Sequence, residues 1–192
     1  MKLSVRLQTY NHADFIEECL KSIDQQQTDF DFEVVIGDDF STDDTAAVAQ
    51  KFIDEQAVNP RVNFRLLQRG QAYKEKRERL GRVVNFTDIL DHCEREYIAL
   101  LDGDDYWKDP KKLQKQVDLL DARPEVAICF HQTTKIFDDS DRTEKFNEDQ
   151  SSKEYVLKDI VAGNFMATCS VVYRAGDQKY PELIYNSPIG DW

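Results

Sequence analysis

Three carboxylates within four residues are the feature of this sequence with the clearest chemical potential. Asp102, Asp104 and Asp105 directly follow an apolar run, Tyr97–Leu101. Two carboxylates one residue apart can turn the same way and share a hard cation. Mg²⁺ or Mn²⁺ typically takes one or two protein carboxylates and completes its shell with phosphate oxygens and water. The cluster therefore predicts a divalent-metal site beside a phosphate-bearing ligand; the alternative is a solvated turn whose acids cap a helix.

Two further polar turns also follow apolar runs. Asp38 and Asp39 come after Phe32–Ile36, where a carboxylate can accept a hydrogen bond from the imide N–H of uracil or from a ribose hydroxyl. The alternative is that both acids only assist a helix cap at Ser41. Tyr10 follows the first apolar run and could stack on a nucleobase, a contact worth about 1–3 kcal/mol, or it could be an ordinary packed tyrosine.

Short apolar runs alternate along the chain with segments of helical periodicity. This alternation predicts right-handed βαβ units and a mostly parallel sheet, whose carboxyl edge is where ligands bind. The three polar turns should therefore meet at one edge. The predicted strands are Leu3–Leu7, Phe32–Ile36, Val62–Leu67, Tyr97–Leu101, Val126–Phe130 and Cys169–Tyr173. Helices are predicted to start near Asn11, at Ser41, at Asn85 and at Asp109–Pro110. We predict a loop with part of a helix for residues 69–82 and a polar excursion for residues 137–153.

Composition narrows the class of protein. The 192 residues suffice for about one domain. The net charge of −12 argues against nucleic-acid binding, which needs a basic surface. No apolar run approaches the ~20 residues of a membrane span, and the N-terminus has no signal-peptide pattern. The four cysteines are far apart and show no metal-binding spacing. We therefore expect a cytoplasmic protein with reduced thiols.

Together the three turns resemble those of family 2 glycosyltransferases of the GT-A fold. The resemblance is carried by Thr9–Asn11, by Gly37–Thr45 and by Leu101–Trp107 with the Asp–Pro pair that follows. It covers residues 2–125 well. It implies an α/β fold, a Rossmann-like α/β/α sandwich with a mostly parallel sheet.

The implied GT-A catalytic domain spans residues 1–192. Its nucleotide-binding half covers about 1–108 and its acceptor-side half about 109–192, and we expect this second half to be C-terminally incomplete. The resemblance also implies a role for each matching residue. Thr9, Tyr10 and Asp39 would hold the base, Asp38 would lie close to the nucleoside, Asn11 and Gly103 would belong to the substrate site, Asp102 would be the first acid of the DxD motif, and Asp104 and Asp105 would contact ribose and metal.

The function implied by the resemblance is inverting transfer of a sugar from a nucleotide-diphosphate donor, expected to be a UDP-sugar, with Mn²⁺ or Mg²⁺. The acceptor would be a hydroxyl of a saccharide or lipid-linked saccharide in bacterial cell-surface polysaccharide synthesis. Peripheral association with the inner face of the cell membrane is compatible with this role. Two alternatives stay open: a catalytically inactive nucleotide-sugar-binding domain, and a phosphatase of the haloacid dehalogenase type.

The end of the chain adds one match, and the middle shows one departure. Ser187–Trp192 resembles the family's acidic motif before the acceptor-side helix, which implies Asp191 as the general base. The family's frequent Arg–Asn pair appears here as Val84–Asn85, so a diphosphate-binding arginine is unassigned. The nearby candidates are Arg69, Arg79 and Arg82, although a solvated helix face is an alternative role for each.

Overall fold

The computed structural model describes residues 1–137, 142–146 and 153–176. A six-stranded sheet of order β3-β2-β1-β4-β8-β5 forms its centre, and β6 and β7 pair as a separate hairpin. The strands are β1 (Leu3–Thr9), β2 (Phe32–Asp38), β3 (Val62–Leu66), β4 (Tyr97–Asp102), β5 (Ile128–Cys129), β6 (Thr133–Ile136), β7 (Thr143–Phe146) and β8 (Val172–Arg174). The helices are α1 (Ile16–Asp24), α2 (Thr45–Glu55), α3 (Gln71–Leu80), α4 (Val83–Asp91), α5 (Lys112–Ala122) and α6 (Leu157–Ala162).

The strand directions confirm the predicted α/β fold with a mostly parallel sheet. Strands β1, β2, β3 and β4 run parallel to one another. Strand β8 runs antiparallel to both β4 and β5. Four parallel strands therefore end at the same edge, and β5 ends there as well because two antiparallel pairings restore the original direction.

Side-chain alternation along β1 explains how the sheet is covered on both faces. Leu3, Val5 and Leu7 belong to the main core, which α1, α2 and α5 cover with side chains such as Ile16, Phe52 and Leu113. On the opposite face, α4 packs its own apolar side chains over the sheet in a smaller cluster. Burial of each large aliphatic side chain contributes about 1.5–3 kcal/mol.

The predicted helix starts near Asn11, at Ser41 and at Asp109 are wrong by a few residues, and α1 begins only at Ile16. Helix α2 begins at Thr45, where the side chain of Asp43 accepts a hydrogen bond from the Thr45 N–H at 3.0 Å. Ser41 bonds instead within the preceding loop. Helix α5 begins at Lys112, and Asp109 accepts from the Lys111 N–H at 2.9 Å. Asp43 and Asp109, in the turns that precede α2 and α5, thus each accept a hydrogen bond from a backbone N–H two residues further on.

The later part of the chain also departs from the predicted elements. Residues Thr168–Ser170 form a 3₁₀ turn rather than the start of a strand. Residues 69–82 are mostly helical as α3, and the predicted polar excursion contains β7. Helix α6 was not predicted, because it is short and exposed. Within the described part of the chain, no helix has the length and apolar character needed to cross a bilayer.

Lys112 at the start of α5 is a buried cation. Its Nζ lies 3.9 Å from the centre of the Trp107 ring, and it has no hydrogen-bond partner among the described residues. Burial lowers the pKa of Lys112 to about 7. Because the unfolded-state pKa is near 10.4, the folded protein carries the full cost of this burial below about pH 7, and the cost shrinks as the pH rises toward about 10.

We therefore expect Lys112→Met to raise the free energy of unfolding by roughly 1–4 kcal/mol at about pH 6. The free energy of unfolding of the parent should increase between about pH 7 and pH 9, and that of the variant should lack this increase. Urea unfolding at a series of pH values measures both effects. The exposed neighbour Lys111 offers a control in Lys111→Met, and equal pH dependence in the parent and Lys112→Met would contradict the assignment.

Candidate functional site

The carboxyl ends of β1, β2 and β4 bring the three polar turns together at one edge of the sheet. The Asp39 N–H donates to the Thr9 carbonyl at 3.0 Å, and the Gly103 N–H donates to the Gln8 carbonyl at 2.9 Å. These two bonds continue the parallel pairing one residue past the strands. The predicted meeting of the turns is therefore confirmed.

A cleft of about 270 Å³ opens at this edge. Tyr10 lines the cleft and is 43% exposed, so part of its side chain is available to a ligand. Five of the predicted site residues line the cleft, and five other residues complete it. The lining consists of Gln8, Thr9, Tyr10, His12, Asp39, Arg82, Asn85, Phe86, Asp102 and Asp104. A second depression, lined by 24–28 and 58–61, lies away from these turns and contains none of the predicted residues.

The acid loop after β4 keeps its three carboxylates in different surroundings. Asp102 is paired with a buried arginine, Arg6, whose Nη1 and Nη2 lie 3.2 Å from Asp102 Oδ1. Asp104 is exposed, with Oδ2 3.8 Å from Nε2 of His12. Burial, followed by the charges of Asp104 and Asp102, raises the pKa of Asp105 to about 6. A nearby cation would relieve that cost of ionisation.

Asp104 and Asp105 are the residues that could hold a metal ion. Neighbouring carboxylates, one exposed and one half-buried with a raised pKa, fit a divalent cation. Across residues 1–137, 142–146 and 153–176, no group of three or more His, Cys, Asp or Glu side chains is arranged to hold one. An ion at this position would therefore depend on water and ligand oxygens for most of its shell.

The space around residue 103 leaves no room for a side chain, so this position requires glycine. A Cβ at this position would lie 2.6 Å from Thr9 Oγ1 and 2.9 Å from Thr9 Cβ, both closer than real Cβ contacts allow. The absence of a side chain lets the acid loop lie against the end of β1. The structure thus gives Gly103 a positioning role for the carboxylates on either side of it.

Asn11 joins two loops, Asp38 stabilises the second of them, and neither residue lines the cleft. Asn11 has a left-handed backbone, φ 54°, which asparagine tolerates better than most residues. Its Oδ1 accepts from the Thr42 N–H at 2.8 Å, and its own N–H donates to Ser41 Oγ at 2.9 Å. The carboxylate of Asp38 accepts from the Ser41 hydroxyl and, at 2.9 Å, from the Ser41 N–H.

A model of glycosyl transferase family 2 matches residues 4–180 of the chain. The chain belongs to glycosyl transferase family 2. The resemblance carried by the three turns is therefore confirmed, as is the implied GT-A fold. An uncharacterized protein of Mycobacterium tuberculosis is 36% identical over 184 residues, covering 96% of this chain and 50% of that protein. The chain thus spans about half the length of this and other curated relatives that it matches.

Two solved structures show the same architecture. Staphylococcus aureus TarS 1–349 in complex with UDP-GlcNAc has a TM-score of 0.62 at 24% identity, covering 91% of this chain and 45% of that chain. This likeness concerns the fold alone. The mannosyltransferase PcManGT from Pyrobaculum calidifontis, in complex with GDP-Man and Mn²⁺, has a TM-score of 0.51 at 28% identity, covering 66% of this chain and 34% of that chain.

The sequence did not predict that helix α3 of this family 2 protein covers Asp39. Asp39 is 8% exposed. Its two carboxylate oxygens lie 2.9 and 2.8 Å from Nε of Arg77, and the Tyr73 hydroxyl donates to Oδ1 at 3.2 Å. Burial, assisted by the Asp39 charge, raises the pKa of Tyr73, so the phenol remains a donor. Helix α3 therefore fixes the orientation of the Asp39 carboxylate.

Of the three candidate arginines for a diphosphate, Arg82 alone lines the cleft. Arg69 is engaged elsewhere: it forms a close ion pair with Asp88, and its Nη2 donates to Oδ1 of Asn85 at 2.5 Å. Asn85 in turn donates to the Gly37 carbonyl at 2.9 Å. Arg79 is exposed on α3. The predicted base, Asp191, lies outside the described residues.

Proposed function

We propose that this family 2 chain transfers a sugar from a UDP-sugar to a hydroxyl acceptor with inversion at the anomeric carbon. One observation carries the proposal. A single cleft joins an exposed aromatic ring, Tyr10, to a buried oriented carboxylate, Asp39, and to the acid loop at Asp102 and Asp104. Tyr10 can stack on a base, and Asp39 can accept a hydrogen bond from the imide N–H of that base. The acid loop can bind a ribose and, through the cation proposed below, a diphosphate.

The nucleoside would lie against β1 and β2. Tyr10 would stack on the base, and Thr9 would supply a neighbouring polar contact. Asp39 would accept the imide N–H, since Arg77 and Tyr73 already hold its carboxylate in one orientation. Asp102 would accept from a ribose hydroxyl. Asn11 would act by joining the two loops, and Asp38 would act by stabilising the loop that follows β2.

A divalent cation would be held by Asp104 and Asp105, and the Mn²⁺ in the PcManGT complex supports this proposal. When bound, Mn²⁺ or Mg²⁺ would neutralise the charge that develops on the departing diphosphate. Arg82, which also lines the cleft, would add a positive charge. The protein itself contributes a fixed arrangement of acids, because Gly103 seats the loop against β1.

Asp191 would remove the proton of the acceptor hydroxyl as that oxygen attacks the anomeric carbon from the face opposite the diphosphate. One displacement inverts the centre, and no covalent sugar–enzyme intermediate forms. We propose a saccharide or lipid-linked saccharide as the acceptor, in bacterial cell-surface polysaccharide synthesis at the inner face of the cell membrane. Family membership sets aside the phosphatase alternative, whereas an inactive nucleotide-sugar-binding domain remains the competing proposal.

A ligand screen tests the proposed function. UDP-, GDP- and dTDP-sugars are compared for thermal stabilisation with and without Mn²⁺, since a ligand at a hundredfold its Kd adds about 2.7 kcal/mol. We expect the UDP-sugars to stabilise most and to need the cation. Release of UDP in the presence of Mn²⁺ distinguishes an enzyme from an inactive binding domain. Stabilisation by GDP-sugars alone would overturn the assignment of the donor.

The role of Arg82 can be tested with two nucleotides. We expect Arg82→Gln to weaken UDP binding about tenfold or more, because a hydrogen bond to a charged group contributes about 1.5–3 kcal/mol, while UMP binding changes about twofold at most. Calorimetry with both nucleotides measures the difference. Arg79→Gln is the matched control, since Arg79 is exposed and lies outside the cleft. Equal losses for UMP and UDP would place Arg82 away from the diphosphate.

A further inference from the structure

A charged side chain is buried in the middle of the central strand. Arg6 on β1 is 1% exposed, and its register partners on the two neighbouring strands are Val35 and Leu100. A guanidinium keeps its charge in proteins, so its burial costs several kcal/mol unless it is paired. An apolar residue at this position would be the ordinary choice for a strand covered on both faces.

The partner of Arg6 belongs to the cleft. Both terminal nitrogens of Arg6 lie 3.2 Å from Oδ1 of Asp102, and the guanidinium carbon lies 4.6 Å from the centre of the Phe86 ring. Asp102 and Phe86 both line the cleft. Arg6 therefore lies directly behind the cleft wall, between α4 and the acid loop.

This contact gives the acid loop a counter-charge of its own. Asp102 shares its loop with Asp104 and Asp105, and the charges of Asp102 and Asp104 both disfavour ionisation of Asp105. A cation bound by the other two acids would act on Asp102 only while it is present. Arg6 is always present, and a planar guanidinium fixes the direction of a carboxylate better than a point charge does.

We propose that Arg6 is a positioning residue that orients Asp102 for the ribose, so that Asp102 recognises the nucleoside independently of the metal. This inference rests on the proposed function, because it assumes a nucleotide in the cleft. It divides the acid loop into two parts. Asp102 works with Arg6 on the nucleoside, and the remaining acids work with the cation on the diphosphate.

The same face of β1 supplies a matched control. Glu33 is buried there and accepts from Ser4 Oγ at 2.7 Å and from Nε of Arg95 at 3.1 Å. This pair also neutralises a buried charge against β1, but its residues do not line the cleft. Loss of Arg95 should therefore affect stability in a similar way and leave nucleotide binding intact.

The test is a double-mutant cycle on UMP binding in EDTA. We expect Arg6→Met and Asp102→Asn each to lower the affinity for UMP about tenfold, and the double variant to bind no more weakly than Asp102→Asn alone. Arg6→Lys, which keeps the charge, should recover part of the loss. Arg95→Met should bind UMP within about twofold of the parent. Melting temperatures and circular dichroism of every variant establish that the comparison concerns folded protein.

Each outcome decides between the two proposals. Additive losses in the cycle, or an equal loss in Arg95→Met, would overturn the positioning role and leave the proposed function standing. A parent that binds neither UMP in EDTA nor UDP with Mn²⁺ would overturn the proposed function itself. If Arg6→Met does not fold, the cycle is completed with Arg6→Lys, whose affinity must then fall between those of the parent and Asp102→Asn.

Discussion

Asp105→Asn is expected to lower the affinity for UDP in the presence of Mn²⁺ by about 10²-fold, while UMP binding in EDTA stays within about twofold of the parent. The carboxylate of Asp105 is half-buried, and burial with the charges of Asp104 and Asp102 raises its pKa to about 6. Such a group gains most from a nearby cation. The amide keeps the shape of the side chain and removes the charge that binds metal.

Calorimetric titration with UDP, in Mn²⁺ and in EDTA, measures this effect. Asp109→Asn is the control, because Asp109 is an exposed acid four residues further on that bonds to Lys115 at 2.7 Å. The parent should bind UDP more weakly in EDTA, and Asp105→Asn should be insensitive to the chelator. Equal losses of UDP and UMP affinity in Asp105→Asn would show that this carboxylate does not serve a metal.

Asp191→Asn is expected to lower sugar transfer by roughly 10²–10⁴, the usual effect of removing a general base. Donor binding should be unchanged, because a base contacts the acceptor hydroxyl and not the nucleotide. The expectation rests on the Gly190–Asp191–Trp192 sequence alone, since these residues lie outside the described structure.

Sugar transfer and UDP affinity are measured side by side for this variant. Glu182→Gln serves as the control, since it removes another acid of the same terminal segment. Turnover near that of the parent would exclude Asp191 as the base. A parallel collapse of UDP affinity would assign Asp191 to the donor site or to folding.

The meeting of the three polar turns at one edge of the sheet was predictable from the directions of the strands alone. Parallel strands with continuous apolar runs end together, so the residues that follow Thr9, Asp38 and Asp102 had to meet. Local capping was less predictable. Ser41 is a good helix cap by type, but its hydroxyl bonds to Asp38 and accepts from Asn11 instead, because a neighbouring loop offers a competing partner.

The partners of the site residues were not predictable from sequence. Arg77 reaches Asp39 from a helix without any buried residue, so no apolar periodicity indicated which face of α3 would turn inward. Arg6 and Asp102 are 96 residues apart. In the sequence, Arg6 is a single charge within an apolar run, and nothing near it names its partner. Ion pairs of this kind depend on tertiary packing, which residue types and local spacing do not encode.

The position of β8 between β4 and β5 has a consequence for synthesis on the ribosome. The ribosome synthesises β4 early and β8 much later. Val172–Arg174 of β8 pairs with Tyr97–Ala99 on the edge of β4 that faces away from β1. At about 5–20 residues per second, that edge emerges several seconds before its partner. During this interval a nascent chain presents the backbone of an apolar strand to other chains, which is the arrangement that favours association between strand edges. The order of translation thus makes β4 a segment for chaperones to protect.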